Sequence, residues 1–460
     1  MKLSLVAILS MSVLYANTMQ IKSKEYEELK TTMSEMQKQI DTVQQHDAKD
    51  NIKFSIDFRT EYNYINYDYN NYSYAGENLS GTSAQNDSLL TSRLYLNMKS
   101  SPMDKLTFTG QIAAYSTWGG SHLSHDTTLK EWSASSKALD TLFRVRQAYF
   151  VYSDTLSDDL PYSFSVGRRP STDGFLANHR EGNKSPGSPL AHITNMEVDA
   201  AMFRLDLSKY VLPGSYVKMV YGRAHTGGIE TLYDNQGYAP YAQGESDADE
   251  NVDFFVVLGS IYNNGQYNLM FEHASIFNAK GAEAGLPAEG TNKSLDAGTA
   301  YLDALSFQMT GVGDMVNDFL DDTTLFASIA RTQYNPDNNY QLLGSTENST
   351  GYSWWAGFTI PDMISKRGKV GFEINHGSKY WTPMTWAEDS VIGSKVAVRG
   401  EAYEAYWNFE MFGVKNLTGQ LRYTYLQHDY TPSVRCAGWV EPQKVDIEAQ
   451  DIRAFIRYQY

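Results

Sequence analysis

The last stretch of the chain alternates without a break. Ile452, Ala454, Ile456, Tyr458 and Tyr460 share one phase, and Asp451, Arg453, Phe455, Arg457 and Gln459 share the other. A period of two is a strand, and apolar-against-polar alternation sets one face in an apolar medium and the other in water. The texture starts early. From Ile52 onward, Phe54, Ile56, Phe58, Thr60, Tyr62 and Tyr64 alternate with Lys53, Ser55, Asp57, Arg59, Glu61 and Asn63. A soluble antiparallel sheet over a core gives the same pattern, so the connections must separate the two cases.

About sixteen strand-like segments follow one another, the first centred on Phe58 and the last on Phe455. Their connections alternate between long and short. Long ones cover 70–87, 117–141, 170–197, 225–250, 278–297, 335–350, 378–398 and 429–446. Between them lie shorter turns such as Ser101-Pro102-Met103-Asp104, Asn263-Asn264-Gly265-Gln266 and Gly413–Asn416. Membrane barrels sort their connections this way, with short turns on one side and long loops on the other. A final strand that ends in an aromatic residue also resembles the closing strand of a bacterial outer-membrane barrel. The expected fold class is all-β: a transmembrane, antiparallel, up-and-down β-barrel of about 16 strands over 52–460, behind a short N-terminal coiled-coil helix. Alternation is least regular near Phe203 and Ala327, so fourteen or eighteen strands also fit the pattern.

Composition agrees with an interfacial protein. Tyrosine outnumbers phenylalanine, 33 to 20, and its apolar ring with a wet hydroxyl suits a membrane boundary. The net charge of −16 argues against a nucleic-acid partner, which needs a basic face. One cysteine, Cys436, excludes an internal disulfide framework. Residues 1–16 read as a secretory signal, with Lys2 before a short apolar run. Residues 20–47 lack Gly and Pro, and Leu29, Met33, Met36, Ile40 and Val43 keep a coiled-coil rhythm. Two readings fit that segment: a short oligomerising stalk in the periplasm, with a trimer as the candidate assembly, or a lone amphipathic helix on the periplasmic surface.

Several motifs then narrow the reading. They are Val166-Gly167-Arg168-Arg169-Pro170-Ser171 with Gly187-Ser188-Pro189-Leu190; Gly377-Ser378-Lys379-Tyr380-Trp381-Thr382-Pro383-Met384; and Gly393-Ser394-Lys395 with Arg399-Gly400-Glu401-Ala402-Tyr403-Glu404-Ala405-Tyr406. In these stretches the chain resembles an uncharacterised, domain-of-unknown-function family of porin-like outer-membrane proteins from epsilonproteobacteria. The resemblance implies location and architecture. It implies little about a solute.

Function in such a barrel belongs to the inward phase. Arg59, Arg93, Arg144, Arg146, Arg169, Arg422, Arg453 and Arg457 fall on or near that phase, on strands that become neighbours once the last pairs with the first. Inward acids, Glu272, Glu373, Glu404 and Glu410, lie elsewhere on the wall. Charged walls select ions by their field; alternatively, Asp57, Glu61 and Asp451 pair with the arginines, which then only brace the wall. The third long loop, 170–197, is the expected constriction. It carries Asp173, His179, Arg180, Glu181, Lys184 and His192, with a short helix over 173–181 capped by Asp173. The acidic run Glu245–Glu250 reads as solvated loop or as a divalent-cation bridge to lipopolysaccharide.

Catalytic signatures are scarce. His122-Leu123-Ser124-His125 lacks the further ligands a zinc site needs, and no glycine-rich phosphate loop or nucleophile elbow is present. No catalytic residue, cofactor or metal is expected. His273, His376 and His428 are the histidines on or near strands, and the sequence singles out none of them. The expected activity is passive diffusion of small hydrophilic solutes with a modest anion bias. The expected partners are outer-membrane lipid and lipopolysaccharide, and the expected place is the outer membrane of a Gram-negative bacterium. Two other readings remain: a surface adhesin or anchor acting through its external loops, and an outer-membrane hydrolase.

Overall fold

A computed structural model describes residues 30–36, 38, 52–74, 76–118, 142–156, 159–183, 185–187, 189–225, 251–285, 295–313, 316–365, 367–386, 388–433 and 441–460. The signal segment, most of the 20–47 helix, Lys184, the His122–His125 motif and the Glu245–Glu250 run lie outside these residues. Two units are distinguished. In the N-terminal one, residues 30–36 and 38 are helical, and Met33 and Met36 are exposed on it.

The second unit is a closed antiparallel barrel of sixteen strands. They begin with β1 (Lys53–Asn71), β2 (Thr82–Met103), β3 (Leu106–Thr117), β4 (Leu142–Leu156), β5 (Leu160–Ser171) and β6 (Met196–Asp206). Next come β7 (Tyr216–His225), β8 (Val252–Asn263), β9 (Tyr267–Phe277), β10 (Gly298–Thr310) and β11 (Thr324–Pro336). The rest are β12 (Ser349–Pro361), β13 (Lys369–Gly377), β14 (Gly400–Met411), β15 (Val414–Tyr430) and β16 (Lys444–Gln459). Each strand pairs with the next, and β16 closes on β1 with Arg457 opposite Arg59. Closure removes every sheet edge, the condition for a strand protein to sit in lipid. Both weakly alternating segments, around Phe203 and Ala327, are ordinary barrel strands in continuous register. No described helix is long and apolar enough to cross a membrane.

The outer face follows the alternation. Phe143, Leu305, Ile329, Leu421, Ile452 and Ile456 project outward and are exposed. Toward the rim that carries the long loops, this face turns charged. Arg168, Asp199, Arg223 and Asp253 stand in one cross-strand row of alternating sign on β5 to β8. Opposite charges directly across strands attract, and the row marks where the apolar band ends.

The inner face divides into two sectors. Across β8 to β11 it is largely apolar: Phe254, Val256, Leu258, Met270, Ala274, Ile276, Ala300, Leu302, Ala304, Phe326 and Ala330 are all buried. From β13 through β16 to β4 it is charged, with Glu373, Glu404, Arg422, Asp451, Arg453, Arg59, Glu61, Arg93 and Arg146 also buried. An apolar inner wall inside a barrel needs something apolar to cover it. Two loops provide that cover.

Candidate pore constriction

Loop 170–197 turns into the barrel. Phe175, Leu176, Leu190 and Ile193 are within 1% of complete burial and pack on the apolar sector. Small wall residues, Ala274, Ala300, Ala304 and Ala330, leave the volume they fill. Gly174 is required where the loop crosses itself, since a Cβ there would stand 2.3 Å from the Pro189 carbonyl oxygen. Leu176 has φ 82, a costly value for a branched side chain that its complete burial holds in place. The helix of this loop is one short turn, α1 (Ala177–Arg180). It corrects the sequence expectation: the N-cap position is Leu176 without a side-chain cap, and Asp173 lies one turn of chain earlier at φ 52.

Polar contacts fix the loop at four places. Glu272 on β9 accepts from the Leu190 amide at 2.6 Å and from the Thr194 hydroxyl at 2.5 Å. His192 sits between Ser328 and Ser353, each 2.8 Å away. His179 is 2.9 Å from Gln308 and stacks on Phe326. Gln420 and Asn408 donate to the Arg180 carbonyl oxygen. Burial without a charged partner pushes the His192 imidazole down to about 3. Burial likewise lowers His179 to about 4, against the hydrogen bond with Gln308.

A second loop, 378–399, also enters the lumen, which the sequence reading did not anticipate. It lies over Gly351 of β12, where a Cβ would come within 2.3 Å of the Trp381 amide nitrogen. Trp381 is fully buried and its indole donates to the Val396 carbonyl at 2.7 Å. Arg399, also fully buried, donates to the Trp381 carbonyl at 2.9 Å and to Thr382 Oγ1 at 2.6 Å. The two inward loops are joined to each other. Asn195 donates to the Met384 carbonyl at 2.7 Å and Met384 donates to the Ile193 carbonyl at 2.9 Å.

These loops decide the fate of the arginines. Arg457, Arg59 and Arg93 stand side by side in cross-strand register, an arrangement that repels unless acids intervene. Asp57 takes Arg457, Glu61 takes Arg59 at 2.7 Å, and Asp389 from the second loop pairs with Arg59 and, at 3.0 Å, with Arg93. Arg422 and Arg453 donate to the Asp389 backbone carbonyl, each at 3.0 Å. Burial would raise the Asp389 carboxyl, but Arg59, Arg453 and Arg93 hold it well below the usual carboxylate range. Lys395 bridges Glu373 and Glu404. Arg180 pairs with Glu181 at 2.9 Å and with Glu388.

The other expected residues fall elsewhere. Arg146 occupies a β-bulge: Val145 pairs with Ile112 and Gln147 with Gln111, which leaves Arg146 unpaired in the ladder. The extra residue aims it inward, onto Glu197 at 2.6 Å, Gln111 and Thr172. Burial and the charge of Glu181 raise the Asp173 carboxyl against the pull of Arg146. Glu410 lies apart, near the short-turn rim, with Arg367 at 3.0 Å. Arg144 shares the inward phase with Ala113 and has no ion-pair partner among the described residues.

Two basic residues were missed, Arg204 and Lys218, and they join Arg169, which the sequence reading named. Arg204 on β6 faces Lys218 on β7 in direct register, and both lie against the Tyr216 ring, at 4.4 and 5.4 Å. Arg169 on β5 lies over Tyr149 at 4.8 Å and contacts Ser165. Among the described residues, the one carboxylate paired with any of the three is Asp206, 3.3 Å from Arg204. These side chains are half-buried on the inward phase of β5 to β7.

Residues 83–458 match the family described as "Protein of unknown function (DUF3373)". The chain belongs to this family. No curated protein matches the sequence. Among solved structures, the anion-selective porin from Comamonas acidovorans is similar at 12% identity and TM-score 0.48, over 89% of this chain and 99% of that one. OmpT of Vibrio cholerae, folded in vitro, is similar at 12% identity and TM-score 0.46, over 89% and 97%. The outer membrane channel DcaP of Acinetobacter baumannii follows at 13% identity and TM-score 0.44, over 89% and 97%. In this DUF3373 chain the motif-rich segment 377–400 is the second inward loop, so its residues were visible even though its place was not.

Proposed function

We propose that the protein is an outer-membrane channel for passive diffusion of small hydrophilic solutes, with a modest preference for anions. Transport of this kind makes and breaks no bond. The observation that carries the reading is the cation group Arg169, Arg204 and Lys218 on lumen wall that the described loops leave partly exposed. Cations in a narrow cleft with low-dielectric walls focus their field on passing ions. Arg59, Arg93 and Arg453 contribute little to that field, because Asp389, Asp57 and Glu61 stand against them. The acidic character of the whole chain is screened over about 8 Å at physiological salt, whereas charges inside the lumen are screened less.

Planar-bilayer recording of the purified full chain tests this. Stable ion steps are expected, with a reversal potential in a KCl gradient that indicates chloride. Arg204→Glu together with Lys218→Glu is expected to move it toward potassium. A silent wild-type protein refutes the channel, and a wild-type pore already selective for potassium refutes the anion preference.

A further inference from the structure

Three side chains on the outer face have no role in transport. His273 and Ser275 lie two residues apart on β9 and share the outward phase; Asp303 on β10 stands opposite His273 in register. His273 Nδ1 is 2.7 Å from Asp303 Oδ1, and Ser275 Oγ is 3.1 Å from His273 Nε2. Arg331 on β11 donates through Nε at 3.1 Å and Nη2 at 2.7 Å to Asp303 Oδ2, fixing the carboxylate. With its proton on Nδ1, the ring donates to Asp303, and Nε2 accepts the Ser275 hydroxyl. This is the arrangement of nucleophile, base and orienting acid that defines a serine hydrolase by geometry rather than by sequence order.

The surroundings specify a substrate. One cross-strand row inside the level of His273, Asp303 and Arg331 run Phe271, Leu305, Ile329 and Trp354. Together the two rows border a groove of about 620 Å³ on the outer face of the barrel. The groove is apolar at its foot and charged at its head, beside the rim where the outer face turns polar. An acyl chain fits the foot and brings its ester beside His273 and Asp303, with Ser275 at the next outward position of β9, and Arg331 keeps Nη1 for a head-group phosphate.

We propose that Ser275, His273 and Asp303 form a lipid-facing catalytic triad that hydrolyses acyl esters of membrane lipids. Ser275 Oγ bonds to the ester carbonyl carbon as its proton passes to His273 Nε2. Collapse of the intermediate breaks the bond to the alcohol oxygen, which takes that proton and leaves as the lysolipid. Water then gives a proton to His273, its oxygen bonds to the acyl carbon, and the Ser275 bond breaks with return of the proton. A free fatty acid is released and the serine restored. Ladder pairing on both sides of β9 uses its amides, so no strand amide is free to hold the oxyanion. Turnover is therefore expected to be slow, on the order of 10²–10³ below a site with such donors.

Covalent labelling is accordingly the sensitive test. The full chain in detergent, its folding checked by heat-modifiable gel mobility, is treated with a fluorescent fluorophosphonate. Wild type is expected to carry the label on the peptide containing Ser275. The label should fall at least about tenfold in Ser275→Ala and in His273→Ala, for loss of the nucleophile and of its base. Fatty-acid release from phosphatidylcholine in mixed micelles should fall in parallel in both variants. An unlabelled but folded wild type, or undiminished labelling of Ser275→Ala, overturns the proposal. Ion conductance is a separate readout, since none of the three side chains faces the lumen.

Discussion

Acid should loosen loop 170–197. His192 and His179 are both buried and neutral in the seated loop, lowered to about 3 and about 4, whereas a released loop exposes them at an ordinary imidazole value of about 6.5. The sign follows from proton linkage: the released state binds more protons wherever the pH lies below about 6.5, so seating is favoured above that value and weakens as the pH falls. At about pH 5 each histidine shifts the balance by roughly thirtyfold, about 2 kcal/mol. The two together give about 10³-fold. Hydrogen–deuterium exchange read by mass spectrometry checks this on loop peptides, with intrinsic rates corrected for pH and wall peptides from β16 as the internal standard. Relative protection of the loop should fall by about 10³ between about pH 7.5 and 5. His192→Gln with His179→Gln, which keeps polar side chains that do not titrate, should flatten the dependence. Loop protection that tracks the wall across this range would refute the reasoning.

Three further outcomes are expected. Gly351→Ala places a Cβ against the Tyr380–Trp381 backbone and should cost about 1–3 kcal/mol as an overpacked contact, seen as faster proteolysis within 378–399 while the barrel keeps its heat-modifiable mobility. Asp389→Asn leaves Arg59 and Arg93 short of a counter-charge; a fully buried pair broken this way costs about 3–5 kcal/mol, and less is expected here because the Asp389 side chain is 27% exposed. Its reversal potential should move further toward chloride, and an unchanged potential would mean these arginines do not face the ion path. Deleting residues 20–47 should weaken chemical cross-linking into oligomers without unfolding the barrel, and an unaltered ladder would assign assembly to the barrel itself.

The barrel was legible because lipid and water enforce a strict period of two, and because loop length alternates with membrane side. Tyr458, Ile456 and Ile452 announce their face without reference to any distant residue. Occupants of the lumen obey no such local rule. Asp389 reads as an ordinary loop acid until β16, β1 and β2 bring Arg453, Arg59 and Arg93 around it. Arg204 and Lys218 are separated by a turn, and only strand register makes them neighbours. A signal of the filled lumen was nonetheless present. Phe254-Phe255-Val256-Val257-Leu258 on β8 is apolar in both phases, as a strand must be when lipid covers one face and a folded loop the other.

The two inward loops are expected to act as one body. Their backbones exchange hydrogen bonds between Met384 and both Ile193 and Asn195, and Arg180 of the first pairs with Glu388 of the second. The next residue, Asp389, is the one that quiets the arginine row. Release of loop 170–197 therefore removes Arg180 from Glu388 beside the residue that holds Arg59 and Arg93. Acid acts on His192 and His179, far along the chain from Asp389, yet the disturbance arrives through a contiguous set of contacts. Asp389 itself stays ionised throughout this pH range, because its depressed carboxyl keeps the pairing intact until far lower pH. Asp389→Asn and the double histidine substitution should accordingly be non-additive in loop protection, as residues in one network are. Additive effects would show that each loop is seated on its own wall sector alone.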